Sequence, residues 1–115
     1  MEKRNALIES FAGRKVHVIV DRPMGCNHKG IPYPINYGFL PGVMAGDGEE
    51  QDVYILGVTT AIQEFDGIII GAAVRRDDVE DKLIAAPAGM TFSLEEMARA
   101  VHFQEQYFDT EILCL

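Results

Sequence analysis

The chain has 115 residues, 48% hydrophobic and 24% charged, the size and balance of one globular domain over 1–115 rather than of a disordered or fibrous chain. Eighteen acidic and ten basic residues leave a formal net charge of −8. That charge argues against a nucleic-acid backbone or an anionic membrane as partner, since both are polyanions, and it suits cations. Cys26 and Cys114 lie far apart without paired spacing, no apolar run reaches about 18 residues, and a secretory signal is not expected. A reduced, cytoplasmic setting is therefore expected. A domain this small, with an apolar tail, is also expected to gain burial by forming a homo-oligomer.

Residues 2–12, EKRNALIESFA, have a weak helical rhythm through Ala6, Leu7, Ile8 and Phe11 that stops at Gly13. KVHVIV at 15–20 is rich in β-branched residues and is closed by Asp21, Arg22 and Pro23, which predicts a strand delivering its last polar residues to a rim. From Pro23 to Gly48 proline and glycine punctuate the chain, and this stretch predicts a long ordered loop. Its centre, IPYPINYGFLPG at 31–42, is too stiff and aromatic for an idle linker. DVYILGV (52–58), GIIIGAAV (67–74) and KLIAAP (82–87) predict three buried strands of one small sheet. Beyond Pro87 the period changes to a helical one through Leu94, Met97, Ala98, Val101 and Phe108, with a capping box from Ser93 and Glu96. The tail TEILCL alternates weakly and predicts a last strand at a sheet edge or against another subunit.

The densest chemical signal is DGEEQDV, which places Asp47, Glu49, Glu50 and Asp52 just ahead of a buried strand. A carboxylate at a strand entrance is held rigidly, and hard cations such as magnesium take one or two such oxygens together with waters and substrate phosphates. An acidic turn between strands is otherwise simply solvated, and composition leaves both readings open. RRDDVEDK at 75–82 adds Asp77, Asp78, Glu80 and Asp81 before another strand, so two acidic turns can share one end of the sheet. The spacing matches neither an EF-hand nor a zinc site, and Cys26 and His28 in GCNH read as an ordinary loop. His17 and His102 read as structural or solvated, since neither is paired in spacing with another ligand. Arg22, Lys29, Arg75, Arg76 and Lys82 flank the acidic turns, and Tyr33 and Tyr37 supply phenolic donors. Each arginine or lysine has the plain alternative of a surface charge.

YPINYGFLPG, followed by DGEEQDV and later by DDVEDKLIAAP, resembles the family of soluble inorganic pyrophosphatases, in the family's own order and over Asp21 to Pro87. The resemblance implies a mainly β (α+β) fold, a small OB-like closed five-stranded β-barrel with a C-terminal α-helix. It also implies hydrolysis of pyrophosphate to two phosphates with Mg²⁺, Mn²⁺ being the possible substitute. By the same resemblance, Asp47, Asp52, Asp77 and Glu80 are the metal ligands, Asp52 bridging two ions. Glu49 stands where the family has its general base, and Tyr37 is the site tyrosine of the rigid loop, with Tyr33 as its partner. Arg22, Tyr33, Lys82 and Tyr107 are then the substrate contacts.

Several positions depart from the pattern. Glu49 and Glu80 are one methylene longer than aspartate, the 75–82 segment is shorter, and Phe108 stands where the family commonly has a phosphate-binding lysine. The family's N-terminal lysine and glutamate pairs have only Lys15 and His17 as conjectural substitutes. These departures keep a second expectation open, a divergent relative that binds metal and phosphate without useful turnover. An OB-like barrel reading oligonucleotides needs a basic stripe with stacking aromatics, which the net charge disfavours.

Overall fold

The computed structural model describes residues 2–115, and side chains from residue 6 onward. In chain order the elements are α1 (Glu2–Glu9), β1 (Lys15–Arg22), β2 (Asn27–His28), β3 (Ile31–Pro32), β4 (Asn36–Met44), β5 (Glu50–Ile55), β6 (Glu64–Arg75), β7 (Lys82–Ala86), α2 (Leu94–Glu105) and β8 (Thr110–Cys114). Hydrogen bonding follows the order β1-β4-β5-β7-β6-β8, and β1 pairs back onto β6. Five strands thus close into a barrel, and β8 adds to the outer edge of β6. The tail forms the strand that its alternation predicts.

Closure buries both faces of the central strands, which is why β5 and β7 read as continuous apolar runs rather than as alternating ones. Val53, Ile55, Leu83 and Ala85 join Val18, Leu40 and Ile69 in one cluster, which Ile8 and Phe11 of the N-terminal segment also enter. The intervening residues Tyr54, Leu56 and Ile84 belong to a second cluster with Tyr33, Tyr37, Met97 and Val101, where α2 packs on the outside of the barrel. Residues two apart share a face of a strand. Asp52, Lys82 and Arg75 therefore fall on the same face as Tyr54, Ile84 and Ala73, the one that α2 covers.

The stretch expected to be one long loop is ordered differently. It holds the short β2–β3 hairpin and then the nine residues of β4, with Tyr37 opposite Tyr54 and Asn36 opposite Ile55. Pro41 is tolerated because it lies in the irregularity between Phe39 and Met44, where the ladder does not use its missing N–H. Gly38 permits the closest approach: a Cβ there would stand 2.0 Å from the Ile19 carbonyl oxygen, so no side chain fits between β4 and β1.

α2 begins as its sequence predicts. Ser93 Oγ accepts from Glu96 N at 3.1 Å and Glu96 Oε1 accepts from Ser93 N at 2.8 Å. Ser93→Ala removes one half of this box and is expected to destabilise the protein by about 1 kcal/mol, read as a lower urea midpoint at unchanged slope.

Candidate active site

Among the described residues β5 and β7 are the one parallel pair of the sheet, in register Val53 with Leu83. Parallel pairing puts both strand entrances at the same end, so the residues just before these, Asp52 and Lys82, become neighbours although 30 residues separate them. Antiparallel β1 sets Arg22 opposite Tyr37 on β4. Together with β6, which ends at Arg75, these strands surround a cleft of about 220 Å³. Its walls include Arg22, Tyr33, Tyr37, Asp52, Glu80 and Lys82.

Lys82 Nζ donates to Asp52 Oδ2 at 2.6 Å and to Tyr37 Oη at 2.8 Å. Arg22 Nη1 donates to Tyr33 Oη at 2.6 Å, and the same guanidinium lies 5.0 Å from the centre of the Tyr37 ring. The rings of Tyr33 and Tyr37 meet edge to face at 5.7 Å. The two cations thus rest on two mutually packed tyrosines, a geometry that holds long side chains in place. Burial, and then the Asp52 carboxylate, push the Tyr37 hydroxyl well above the usual phenol range, so it stays a protonated donor. At the mouth, desolvation and then the charges of Arg22 and Lys29 lower the His28 imidazole pKa.

Arg75 closes the far side. It is 1% exposed, and Glu105 grips it with two bonds, Nε to Oε1 at 3.0 Å and Nη2 to Oε2 at 2.8 Å. Phe108 stacks on the guanidinium with its ring centre 3.6 Å from Cζ. Glu105 also accepts from Tyr54 Oη at 2.6 Å and Thr110 Oγ1 at 2.7 Å. A buried Arg with bidentate pairing and an aromatic face is fixed in both position and charge.

The expected site residues therefore divide by location. Arg22, Tyr33, Tyr37, Asp52, Glu80 and Lys82 line the cleft; Asp47, Glu49, Asp77 and Tyr107 do not. Asp47 Oδ1 accepts from Glu49 N at 3.0 Å, tying its own exposed turn. Asp77 accepts from Asp109 N at 3.0 Å on another side of the β6 end. Tyr107 is 63% exposed just beyond α2. Two other acids of the second turn bond the backbone: Asp78 Oδ1 accepts from Val79 N at 2.6 Å, while its Oδ2 lies 3.5 Å from Arg75 Nη1, and Asp81 Oδ1 accepts from Arg75 N at 3.0 Å. Glu105 was not singled out from sequence. Its signal was there, because Met97, Val101 and Glu105 recur every fourth residue and form the buried stripe of α2.

Asp52 and Glu80 are the cleft residues that would hold the implied Mg²⁺ or Mn²⁺, together with waters and substrate oxygens. Among the described residues no three His, Cys, Asp or Glu side chains converge. The two cleft carboxylates are engaged by cations of the chain itself, Asp52 by Lys82 at 2.6 Å and Glu80 by Arg75 at 3.5 Å and Lys82 at 3.7 Å. The Asp52 and Glu80 side chains are 29% and 41% exposed, so both carboxylates are reached by water beside these cations.

The fold and its cleft define a small OB-like barrel protein with a cation- and tyrosine-lined site. Comparison with known proteins places it further. The inorganic pyrophosphatase of Saccharolobus solfataricus is 31% identical over 134 residues, covering 84% of this chain and 76% of that protein. That of Caulobacter vibrioides is 31% identical over 97 residues, covering 72% of this chain and 53% of its own length. The chain belongs to the inorganic pyrophosphatase family. It spans roughly half to two thirds of several curated relatives, 53% of the Caulobacter vibrioides protein and 62% of the Rickettsia felis one. No family model matches it. Among solved structures, the inorganic pyrophosphatase from Ehrlichia chaffeensis superposes with a TM-score of 0.68 at 21% identity, covering 87% of this chain and 85% of that one. The one from Helicobacter pylori gives 0.64 at 19%, covering 91% and 84%. These neighbours share the fold. No helix among the described residues is long and apolar enough to cross a membrane.

Proposed function

We propose that the cleft binds pyrophosphate and that the chain hydrolyses it to two phosphates, the reaction after which its family is named. The observation supporting this is the convergence of Arg22, Arg75 and Lys82 with the hydroxyls of Tyr33 and Tyr37 on one cleft of about 220 Å³. Phosphoryl transfer is catalysed chiefly by positioning and by charge stabilisation on the phosphate oxygens, and donors already fixed on paired strands supply both without reorganising. In this reading Arg22, Lys82 and Tyr33 hold substrate oxygens, and Tyr37 orients Lys82. Asp52, the carboxylate nearest both, orients the attacking water. The magnesium that the resemblance implies would be held by Asp52 and Glu80 and would supply activation of the attacking water.

A second reading, anion binding without turnover, is favoured by one observation: Phe108 and Glu105 hold Arg75 against the cleft, and both cleft carboxylates are paired with cations. Phosphate release from pyrophosphate separates the two, measured first in chelator and then with added Mg²⁺ and Mn²⁺. Turnover is expected in the wild type, with a fall of roughly 100-fold or more in Asp52→Asn, the usual effect of losing a general base. Saturable pyrophosphate binding with no phosphate released under any of these conditions establishes the second reading instead.

A further inference from the structure

The β2–β3 hairpin has a turn that its own residues do not favour. The strands pair Asn27 with Pro32 and His28 with Ile31, which leaves Lys29 and Gly30 as a two-residue turn. Both have positive φ, 52° and 83°, the pattern of a type I′ turn. Asn, Asp or Gly is the usual first residue there, because a longer L side chain disfavours left-handed backbone. Lys29 is the one non-glycine with positive φ among the described residues. Backbone held in this way collects at functional sites, and Lys29, with His28 and Ile31, lines the cleft.

The turn is tied to the cleft through Tyr33. Gly30 N donates to Asn27 Oδ1 at 3.0 Å within the hairpin. At its base Gly25 N donates to the Tyr33 carbonyl at 2.8 Å, and Tyr33 N donates to the Cys26 carbonyl at 2.9 Å. Tyr33 is also the residue whose hydroxyl accepts from Arg22. The other cations of the cleft are already engaged, Arg22 with Tyr33, Lys82 with Asp52 and Arg75 with Glu105. Lys29 is exposed, and among the described residues no carboxylate forms an ion pair with it.

We propose that Lys29 is a substrate-binding residue, its ammonium taking a phosphate oxygen of pyrophosphate at the mouth of the cleft. This rests on the reading of the cleft as a pyrophosphate site and adds a contact from outside the barrel strands. Pyrophosphate carries charge on both phosphoryl groups, so the outer one needs a counter-charge where the cleft opens. Retention of lysine where asparagine suits the backbone better then has a reason. Stability and affinity are expected to move in opposite directions in Lys29→Asn, whereas a lysine that is merely solvated leaves affinity unchanged.

The experiment is calorimetric titration of the intact chain with pyrophosphate in Mg²⁺, or with imidodiphosphate, its analogue with a bridging nitrogen, where the wild type turns pyrophosphate over. Wild type, Lys29→Asn and Lys29→Arg are compared, each with its urea midpoint. Lys29→Asn is expected to bind roughly fivefold more weakly, the scale of one solvent-exposed charge pair, with a midpoint equal to or above that of the wild type. Lys29→Arg, which restores the charge, is expected to bind as the wild type does. Wild-type binding with unchanged affinity in Lys29→Asn, or equal weakening in both variants, overturns the role of the Lys29 charge and leaves the cleft as a pyrophosphate site. Absence of saturable wild-type binding in Mg²⁺ overturns the reading of the cleft and this inference with it.

Discussion

Replacing Lys82 with methionine is expected to weaken pyrophosphate binding by roughly 30-fold or more, the equivalent of about 2 kcal/mol for truncating one partner of a desolvated charge pair. Lys82 is the hub of the cleft, donating to Asp52 and Tyr37 from a side chain that is only 5% exposed. Methionine keeps the apolar stem and most of the volume, so the surrounding packing is preserved and the charge alone is lost. Asp52 then loses its cation, but its side chain is 29% exposed and water can solvate it. The change therefore reads mainly in binding, by the same titration, while the melting temperature moves little. Lys82→Arg is expected to recover part of the affinity, because the charge returns with a different donor geometry. An affinity for Lys82→Met within threefold of wild type would remove Lys82 from the site.

Glu105→Ala is expected to destabilise the fold by about 3–5 kcal/mol, measured by urea denaturation, because breaking a buried pair leaves its other member uncompensated. Arg75 loses both of its short bonds from one residue, and Tyr54 and Thr110 lose their acceptor as well. Glu105→Gln retains the shape and an acceptor oxygen and is expected to cost less. The two variants also separate charge from packing through pH. Burial raises the Glu105 carboxyl pKa, but the bonds from Arg75, Tyr54 and Thr110 outweigh that and leave it below its ordinary value of 4.5. A carboxyl whose folded pKa is depressed stabilises the protein above its unfolded value and loses that contribution as pH falls through the folded one. The stability gap between wild type and Glu105→Gln is therefore full above pH 4.5 and closes below it. A gap independent of pH would place the effect in packing rather than in charge.

Local pattern made much of this protein legible. The capping box of Ser93 and Glu96, the helical stripe that follows it, and the apolar runs of β5, β6 and β7 all depend on residues a few positions apart, whose spacing sets which face is buried. β4 was less legible, because proline and glycine signal loop locally. Gly38 is there for a close approach to β1, and Pro41 sits at a break in pairing; both reasons belong to a neighbouring strand.

The motif order by itself determined the family and the barrel, and with them the residues around which a site was to be sought. Only the tertiary structure decided how those residues are used. The parallel pairing of β5 and β7 sets Lys82 against Asp52, and closure of the barrel brings the end of β6 to α2, where Glu105 and Phe108 fix Arg75. The acids that look equivalent in sequence thereby separate into turn caps, an exposed turn, and two cleft carboxylates already paired with lysine and arginine. The reason is physical: a carboxylate's role depends on which charge lies within about 4 Å of it, and that distance is set by strand register and barrel closure, not by neighbours along the chain.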